Sequence, residues 1–324
     1  MKAIVYYEYG PPDVLRCEDV ERAIPGDAEV SVKVRAASLN PYDWHFMRGE
    51  PYAIRLMAGL GKPKNKHLGA DVAGVVDAAG RNVTQFKPGD AVYGVCQGAF
   101  AEFACTAETK LVKKPEAVSF EHAASIPIAA LTALQALRDK GKLQPQQTVL
   151  VNGGSGGVGT FGVQIAKSLG AKVTGVTSTR NLELVRSLGA DDVIDYTTHD
   201  FTKGDQRFDL ILDCVGNHSF SDCCRVLNRR GTLVPAGGKT DNWMIKPIAS
   251  MVSAMVHSIF VSQKQVSIFA KMNQPDLLAI NELLVSGKVT PVIDRTCALH
   301  EVPDAIRYLE QGHARGKVIM SLPA

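Results

Sequence analysis

The chain lacks the cysteine patterns that join a fold with disulfides or hold a structural metal. Its seven cysteines are odd in number, and no C-x-x-C pair occurs in the 324 residues. Disulfide frameworks use even sets of cysteines, and zinc ribbons use closely spaced pairs. We therefore expect free thiols, a reducing compartment and a cytoplasmic location.

The chain also has little net charge and no long apolar run. A formal net charge of +3 is too small to favour nucleic acid or an anionic membrane as a partner. The most apolar window, 245–261, is short and contains Lys246 and His257. It predicts a buried helix or a subunit interface rather than a membrane span. The N-terminus begins at once with a strand-like pattern and shows no signal-peptide organisation.

The pattern of the chain changes near residue 120, and the length suits two domains with substantial cores. Before this point, short strand-like runs are separated by turn signals such as the Lys-Pro-Gly-Asp sequence at 87–90, which predicts a compact barrel-like unit. After it, strands and helices alternate, which predicts a parallel sheet with helices on both faces. The predicted strands are 148–151, 172–176, 192–195, 209–213 and 231–235, with helices at 158–169, 181–188 and 218–228 between them.

The C-terminal part predicts a return of the chain to the first domain. Beyond residue 262 we predict a helix at 274–286, a strand at 289–293, a helix at 302–311 and a last strand at 317–322. The predicted β-rich domain is therefore discontinuous, with residues 1–124 and 262–324. Residues 125–261 form the second predicted domain.

The most informative motif is the G-x-G-x-x-G spacing of Gly154, Gly156 and Gly159. It follows the apolar run 149–151 and opens a stretch with helical periodicity, which is the context of a dinucleotide-binding fingerprint. The first glycine allows a tight turn, the second lets the pyrophosphate approach, and the third lets helix and strand pack closely. The helix start offers N–H groups to the phosphates. The predicted cofactor contacts of this loop are Gly154, Ser155, Gly156, Gly157, Val158 and Gly159.

No carboxylate follows the second predicted strand of this unit. An acidic residue there would bind the ribose of NAD, but the chain has Thr177, Ser178 and, nearby, Arg180. A carboxylate would repel a 2′-phosphate, whereas a guanidinium binds it through two hydrogen bonds. The sequence therefore predicts NADPH rather than NADH. The alternative is that Ser178 and Arg180 only cap and solvate the next helix.

Together these features resemble the medium-chain dehydrogenase/reductase superfamily, and within it the zinc-free quinone oxidoreductase-like branch. The resemblance covers the whole chain. Beyond the glycines it rests on the motifs at 37–43 (ASLNPYD), 68–76 (LGADVAGVV), 87–92 (KPGDAV) and 316–319 (GKVI). It implies an α/β protein with a doubly wound parallel-sheet (Rossmann) cofactor domain and a β-rich GroES-like catalytic domain. It also implies a homodimer, with the apolar stretch at 245–270 as a compatible contact.

The zinc alcohol dehydrogenases of the same superfamily carry a cysteine ligand where this chain has Asn40. They carry a histidine ligand where it has Ala70, and their four-cysteine zinc loop has no counterpart here. Neither Asn40 nor Ala70 can supply a thiolate or an imidazole to tetrahedral zinc. His67 and Asp71 could pair as ligands four residues apart, but no third ligand is evident. The resemblance therefore implies a metal-free enzyme.

Without a Lewis acid, reduction of an electron-poor acceptor is favoured over oxidation of simple alcohols. Quinones and α,β-unsaturated carbonyls are such acceptors, and hydride addition leaves charge on an oxygen that needs a hydrogen-bond donor or a solvent proton. We predict an NADPH-dependent quinone reductase for a small electrophilic acceptor. An enone or alkenal double-bond reductase is an alternative that the sequence does not separate from it. A non-catalytic NADPH-binding protein is a third, because no proton donor is unmistakable.

The resemblance also assigns residues to the reaction. It places Asn40 toward the nicotinamide, Tyr42 as a donor to a substrate oxygen and Asp43 near the active site; a lining or scaffold role is the alternative for Tyr42 and Asp43. The segment 44–67 is either a cover for the substrate or a packed surface excursion.

The remaining cofactor positions are spread over the chain. The resemblance places Thr132 near the nicotinamide, Tyr196 beside the adenosine phosphate and Lys317 near the pyrophosphate, with a plain surface lysine as the alternative for Lys317. Three further glycines end the fourth and fifth predicted strands, where the carboxyl edge of the sheet meets the cofactor. They are Gly216, Gly237 and Gly238.

Overall fold

The computed structural model describes residues 1–238 and 262–323. The chain forms two compact units. The first contains Met1–Ile128, Met272–Val285 and Pro291–Ala324, and the second contains Ala129–Lys271 and Ser286–Thr290. The predicted interface run at 245–261 lies outside the described residues.

The helices and strands follow the chain in the order below. From the N-terminus these are β1 Lys2–Val5, β2 Arg16–Asp19, β3 Glu29–Leu39, α1 Pro41–Arg48, α2 Ile54–Ala58, β4 Asp71–Ala79, β5 Ala91–Val95, β6 Phe103–Ala107, β7 Leu111–Lys113, α3 Phe120–Ala124 and α4 Pro127–Gln135. Next come β8 Thr148–Asn152, α5 Gly157–Ser168, β9 Lys172–Thr177, α6 Leu182–Ser187, β10 Asp192–Asp195, β11 Phe208–Asp213, α7 Phe220–Val226, β12 Leu227–Pro235 and β13 Lys264–Gln265. The last are α8 Gln274–Val285, β14 Ile293–Cys297, α9 Val302–Glu310 and β15 Lys317–Ser321.

The first unit is built around a seven-stranded sheet in the order β14-β15-β3-β4-β5-β7, with β6 also paired to β3. All of these pairs are antiparallel except β14 with β15. Strand β3 is central, and Val30, Val32 and Val34 are buried at alternate positions along it. The C-terminal strand β15 pairs with β3 next to Leu39, so residues from both ends of the chain meet beside α1.

The second unit contains a six-stranded parallel sheet in the order β10-β9-β8-β11-β12-β13. Counted from β8, this order is 3-2-1-4-5-6, the strand order of a doubly wound dinucleotide-binding fold. Val149–Val151 of β8 are fully buried, as an apolar run in a parallel sheet should be. The predicted fold class is confirmed.

Two local predictions differ from the structure. The predicted strand at 289–293 is wrong, because the strand is β14, Ile293–Cys297. Thr290 instead pairs with a side chain: its N–H donates to Gln164 Oε1 at 2.7 Å, and its carbonyl accepts from Gln164 Nε2 at 3.0 Å. These bonds tie 286–290 to the second unit, and β13 pairs 264–265 with β12, whereas the predicted domains assign both stretches to the first domain.

In the part of the chain that the structure describes, no helix combines the length and the apolar character needed to cross a membrane.

Candidate functional site

The glycine-rich loop connects β8 to α5 in the second unit. Its left-handed residue is Gly153, with φ of 84°, so the tight turn lies one residue earlier than the predicted Gly154. The N–H groups of Gly153 and Gly154 donate to the Val176 carbonyl at 3.1 and 2.9 Å. The loop is therefore fixed to the carboxyl end of β9.

The glycines of the motif are required for different reasons. A Cβ at Gly159 would lie 2.0 Å from the Gly153 carbonyl oxygen, so the turn itself excludes any side chain there. A Cβ at Gly156 would lie 3.4 Å from the same oxygen, which is an ordinary contact. The protein's own packing thus leaves room at Gly156 that the sequence does not fill. Such an open position fits a backbone that a pyrophosphate approaches closely.

The start of α5 presents free backbone donors. Gly156 caps the helix without a side-chain bond, and the first helical bond runs from Thr160 N–H to the Gly156 carbonyl at 2.9 Å. The N–H groups of Gly157, Val158 and Gly159 precede that bond and have no helical acceptor. Together with the positive end of the helix dipole they suit a phosphate group.

A neutral polar network lies at the end of β9. Thr177 Oγ1 donates to Ser155 Oγ at 2.7 Å, and Asn181 Nδ2 donates to Ser155 Oγ at 3.1 Å and to Ser178 Oγ at 3.3 Å. Asn181 Oδ1 is enclosed without a hydrogen-bond partner among the described residues. The network contains no carboxylate and leaves one acceptor unused.

The predicted adenosine-side residues lie around this network. Ser178 is half-buried, and Arg180 is exposed in the short 3-10 turn Thr179–Asn181. Tyr196 is exposed, and its N–H donates to the Thr177 carbonyl at 3.0 Å. The carboxylate of Asp195 accepts bonds from the hydroxyls of Thr179 and Thr197. The structure therefore brings Ser178, Arg180 and Tyr196 to one strand end.

The other predicted glycines lie after β11 and β12. A Cβ at Gly216 would approach Gly238 Cα to 2.8 Å, and one at Gly237 would approach the Cys214 carbonyl oxygen to 2.5 Å. Close packing of the two loops therefore requires these glycines. Asp213 organises the same edge, since it accepts from Asn152 Nδ2 at 2.8 Å and from Gly216 N–H at 2.9 Å. Thr132 is half-buried in α4, also in the second unit.

The predicted catalytic residues lie in the first unit, where Asn40 immediately precedes α1. Asn40 is 2% exposed and its amide is heavily used. Its Nδ2 donates to the Ser38 carbonyl at 3.1 Å and to Asp71 Oδ2 at 2.9 Å, while its Oδ1 accepts from Lys317 Nζ at 2.6 Å. Both amide donors are committed. Asn40 therefore acts first as a connector between a buried carboxylate and a buried ammonium group.

Asp43 and Asp71 are fully buried beside Asn40. Asp43 accepts from the N–H groups of Asn40 at 2.7 Å and Gly69 at 3.2 Å, and Asp71 accepts from Ile128 N–H at 3.0 Å. Burial raises the pKa of Asp43 to about 7 and that of Asp71 to about 6. Lys317 opposes both rises because its positive charge favours the carboxylate forms.

Lys317 is 4% exposed, so the alternative of a plain surface lysine does not hold. Its ammonium group also reaches the Leu39 carbonyl at 3.4 Å. Burial lowers the pKa of Lys317, and the charges of Asp71 and Asp43 oppose that change. Asn40, Asp43, Asp71 and Lys317 form one unit, which we call the buried polar cluster.

A pocket of about 360 Å³ opens beside Tyr42 in the first unit. Tyr42 is 41% exposed, and its ring lies 4.4 Å from that of Phe46. The segment 44–67 supplies several further lining residues, namely Phe46, Met57, Ala58, Lys64, Asn65 and His67. Of the three predicted catalytic residues, only Tyr42 reaches this pocket.

The donor set of the cluster does not fit zinc. His67 lines the pocket, whereas Asp71 is enclosed with Asn40. Across residues 1–238 and 262–323, no group of three or more His, Cys, Asp or Glu side chains is arranged to hold a metal ion. The Lys317 ammonium group also contacts Asn40 Oδ1, where it would repel a divalent cation.

Sequence reasoning missed the turn at Gly153 and the shared enclosure of Asp71 and Lys317 with Asn40, since the resemblance places Lys317 near the pyrophosphate instead. Gly153 is visible as a further glycine beside the motif, and Asp71 and Lys317 lie in recognised motifs. Their common enclosure with Asn40 has no local signal, because the Asn40–Lys317 bond joins positions 277 residues apart.

Comparison with known proteins gives two family matches. The profile of the alcohol dehydrogenase GroES-like domain matches residues 26–116, and that of the zinc-binding dehydrogenases matches residues 188–320. The description of the profile that matches residues 188–320 names zinc. By the family resemblance, however, the position of the cysteine ligand of the zinc enzymes is occupied here by Asn40, which lies in the other matched range, 26–116.

The chain is also similar to proteins over its whole length. It is 36% identical to the NAD(P)H oxidoreductase RTN4IP1, mitochondrial, of Danio rerio, over 99% of this chain and 91% of that protein. It is 33% identical to the NADPH-dependent alkenal/one oxidoreductase, chloroplastic, of Arabidopsis thaliana, over 99% of this chain and 79% of that protein. Among solved structures, the quinone oxidoreductase from Coxiella burnetii superposes with a TM-score of 0.86 at 30% identity, covering 100% of this chain and 99% of that one.

Proposed function

Since the chain belongs to the quinone oxidoreductase-like members of the medium-chain dehydrogenase/reductase superfamily, an oxidoreductase family, we propose that it uses NADPH to reduce a quinone without a metal. The observation that carries this proposal is the bond between Lys317 Nζ and Asn40 Oδ1 in the buried polar cluster. The amide of Asn40 stands where a zinc enzyme of the superfamily has a thiolate ligand, and the ammonium group of Lys317 is bonded to that amide.

This arrangement favours an acceptor that is electrophilic on its own. A zinc ion would stabilise an alkoxide strongly, and an enclosed ammonium group bonded to an amide does not replace that direct coordination. A quinone needs less support, because the added charge is delocalised over its ring and oxygens. The NADPH cofactor, when bound, supplies the hydride.

The residues of the chain then have separate tasks. The N–H groups at the start of α5 bind the pyrophosphate, and Gly156 leaves space for it. Arg180 and Ser178 bind the 2′-phosphate through charge-assisted hydrogen bonds. Tyr42, on the wall of the pocket, donates a hydrogen bond to the acceptor. Asp43 and Asp71 fix Asn40 and Gly69 rather than contact the acceptor.

Reduction of an enone or alkenal double bond is the second candidate. The relative from Arabidopsis thaliana is named for alkenal and enone reduction, and it matches 99% of this chain. The hydride would then add to a β-carbon, and charge would again develop on an oxygen that needs a donor.

One experiment separates these activities. Purified protein is supplied with NADPH or NADH and tested on 1,4-benzoquinone, 9,10-phenanthrenequinone and short enals, and zinc is measured on the same sample. We expect quinone turnover, a lower KM for NADPH than for NADH, and zinc well below one ion per chain. Turnover of enals alone would favour the second candidate, and stoichiometric zinc with alcohol oxidation would overturn the proposal.

The cofactor preference has its own test in Arg180→Ser. We expect KM for NADPH to rise at least about tenfold while KM for NADH stays the same, because only NADPH carries the 2′-phosphate. Arg186→Ser is the matched control, since Arg186 is an arginine of α6 paired with Glu183. Equal effects of both substitutions on NADPH would argue against this role of Arg180.

We also infer a cytoplasmic homodimer, from the odd set of cysteines and from the family resemblance. Light scattering on the purified protein tests the dimer, and a monomer at micromolar concentration would contradict it.

A further inference from the structure

Tyr6 is a lining residue of the pocket beside Tyr42 that the proposed function does not use. It follows β1, is 2% exposed, and its N–H donates to the Lys66 carbonyl at 3.0 Å. Its hydroxyl makes no hydrogen bond with any residue in the described ranges. Among those residues, Asn181 Oδ1 is the one enclosed side-chain atom without a partner, so the Tyr6 hydroxyl keeps an open side.

Three other tyrosines of the first unit donate their hydroxyls to the protein. Tyr7 donates to Glu18 at 2.8 Å, Tyr9 donates to the Gly59 carbonyl at 2.6 Å, and Tyr93 donates to Asn281 at 2.7 Å. Enclosed hydroxyls are normally satisfied by the protein, whereas a hydroxyl with an open side can be satisfied by water or by a ligand. The Tyr6 hydroxyl has an open side and no partner among the described residues, and Tyr6 lines the pocket, so this hydroxyl is available to a ligand oxygen.

The charge state of Tyr6 makes it a dependable donor. Burial raises the pKa of Tyr6 well above its usual value, and Tyr9, Tyr42 and Asp43 raise it further. The hydroxyl therefore stays protonated at any physiological pH. It can donate a hydrogen bond to an oxygen that becomes negative, but it is too weak an acid to be the proton source.

The pocket also limits the kind of acceptor. Its volume of about 360 Å³ is in the range of small-molecule sites, and three aromatic side chains, Tyr6, Tyr42 and Phe46, contribute to its lining. Aromatic walls favour a flat ring through stacked or edge-on contacts. A short alkenal offers no ring for such contacts.

We propose that Tyr6 is a substrate-binding residue whose hydroxyl donates a hydrogen bond to a carbonyl oxygen of a quinone held in this pocket. This inference rests on the proposed function. As hydride adds to the quinone, an electron pair moves to the oxygen, and the Tyr6 O–H stabilises the resulting anion. NADPH becomes NADP⁺, and a solvent proton completes the hydroquinone, so that one hydride and one proton reduce one quinone.

The kinetic test compares Tyr6→Phe with two matched substitutions. For Tyr6→Phe we expect kcat/KM for 9,10-phenanthrenequinone to fall about 100-fold, as for loss of one oxyanion donor, with KM for NADPH unchanged. Its Tm should stay the same, because the substitution removes no hydrogen bond between described residues. Tyr9→Phe should lower Tm and leave kcat/KM unchanged, and Tyr7→Phe should change neither.

A binding test without cofactor keeps this inference separable from the proposed function. The phenolate 4-nitrophenolate mimics the oxygen anion and reports binding through its absorption spectrum. We expect it to bind the unmodified protein and the Tyr7→Phe variant, and to bind Tyr6→Phe at least tenfold more weakly. If no quinone is turned over but this binding difference appears, the role of Tyr6 stands and the proposed reaction fails. Equal binding by all variants, or no binding by the unmodified protein, overturns the role of Tyr6. A kcat/KM unchanged by Tyr6→Phe also overturns it.

Discussion

The glycine loop of the second unit and the buried polar cluster of the first differ in the charge that they carry. The loop and the network beside it consist of backbone N–H groups, hydroxyls and an amide, from Ser155, Thr177 and Asn181. The cluster holds three ionisable groups, Asp43, Asp71 and Lys317, all at most 4% exposed.

This difference predicts how each region tolerates change. Loss of a hydrogen-bond partner by a neutral polar group costs little stability where water can take the partner's place. A buried charge that loses its counter-charge has no such replacement nearby, so its loss costs more stability. The loop should therefore depend on space and the cluster on charge balance. Substitutions in the two regions test this contrast.

The largest effect should follow from Lys317→Met, which keeps an apolar stem and removes the charge. We expect the free energy of unfolding at pH 8 to fall by about 3–5 kcal/mol, because two buried carboxylates lose their only cation in the cluster. Urea unfolding measures the change. Lys167→Met is the matched control, since Lys167 binds Asp191 at 2.8 Å on the surface, and it should cost at most about 1 kcal/mol.

The pH dependence of the Lys317→Met effect has a definite sign. Asp43 and Asp71 have pKa values raised to about 7 and about 6, so the folded protein binds more protons than the unfolded chain between about pH 4 and 7. Their contribution to stability therefore falls as pH rises through this window. Loss of Lys317 raises both pKa values further, so the fall in stability continues to higher pH. The variant should be least affected near pH 5, and an equal loss at pH 5 and pH 8 would contradict this account.

A smaller effect on stability is expected in the glycine loop, where Gly159→Ala and Gly156→Ala should differ from each other. The Cβ at position 159 would lie 2.0 Å from a backbone oxygen, so we expect a loss of about 1–3 kcal/mol of unfolding free energy together with loss of NADPH binding. At position 156 the Cβ has ordinary room. The unfolding free energy of Gly156→Ala should stay within about 1 kcal/mol of that of the unmodified protein. The variant should nevertheless bind NADPH at least about tenfold more weakly, which corresponds to about 1.4 kcal/mol of binding free energy.

Thermal unfolding and NADPH fluorescence titration measure the two quantities on the same samples. Unchanged NADPH affinity in Gly156→Ala would show that the space at this position is not used by the cofactor.

The smallest effect should come from Asn181→Ala. The substitution removes two bonds to the hydroxyls of Ser155 and Ser178, but both serines are only half-buried and water can replace the amide. It also removes an enclosed oxygen without a partner. The two changes offset each other, so urea unfolding should give a change within about 1 kcal/mol. A loss as large as that of Lys317→Met would remove the contrast between the two regions.

The sequence predicts the second unit well because its signals are local. The strand runs, the glycine spacing and the helix that follows lie within a few turns of chain, and β8 to β12 appear where predicted. The strand at 289–293 failed because Thr290 pairs with Gln164, a side chain 126 residues away. Local periodicity contains no information about such a partner.

The candidate site in the first unit was predicted less completely for the same reason. Family resemblance led to Asn40, Tyr42, Asp43 and Lys317, but only the structure shows that the Asn40 amide is committed to Asp71 and Lys317. The availability of the Tyr6 hydroxyl to a ligand is equally invisible, because a tyrosine in a strand-like run is indistinguishable from ordinary core.

The pairing of β15 with β3 has a consequence for synthesis of the chain on the ribosome. Asn40 and Asp71 emerge early, whereas Lys317 emerges 277 residues after Asn40, behind the entire second unit. Until then the nascent first unit must hold Asp43 and Asp71 protonated, hydrated or unfolded. The final packing of the first unit therefore waits for the synthesis of β15, and a product that stops before β15 lacks the cation of the buried polar cluster.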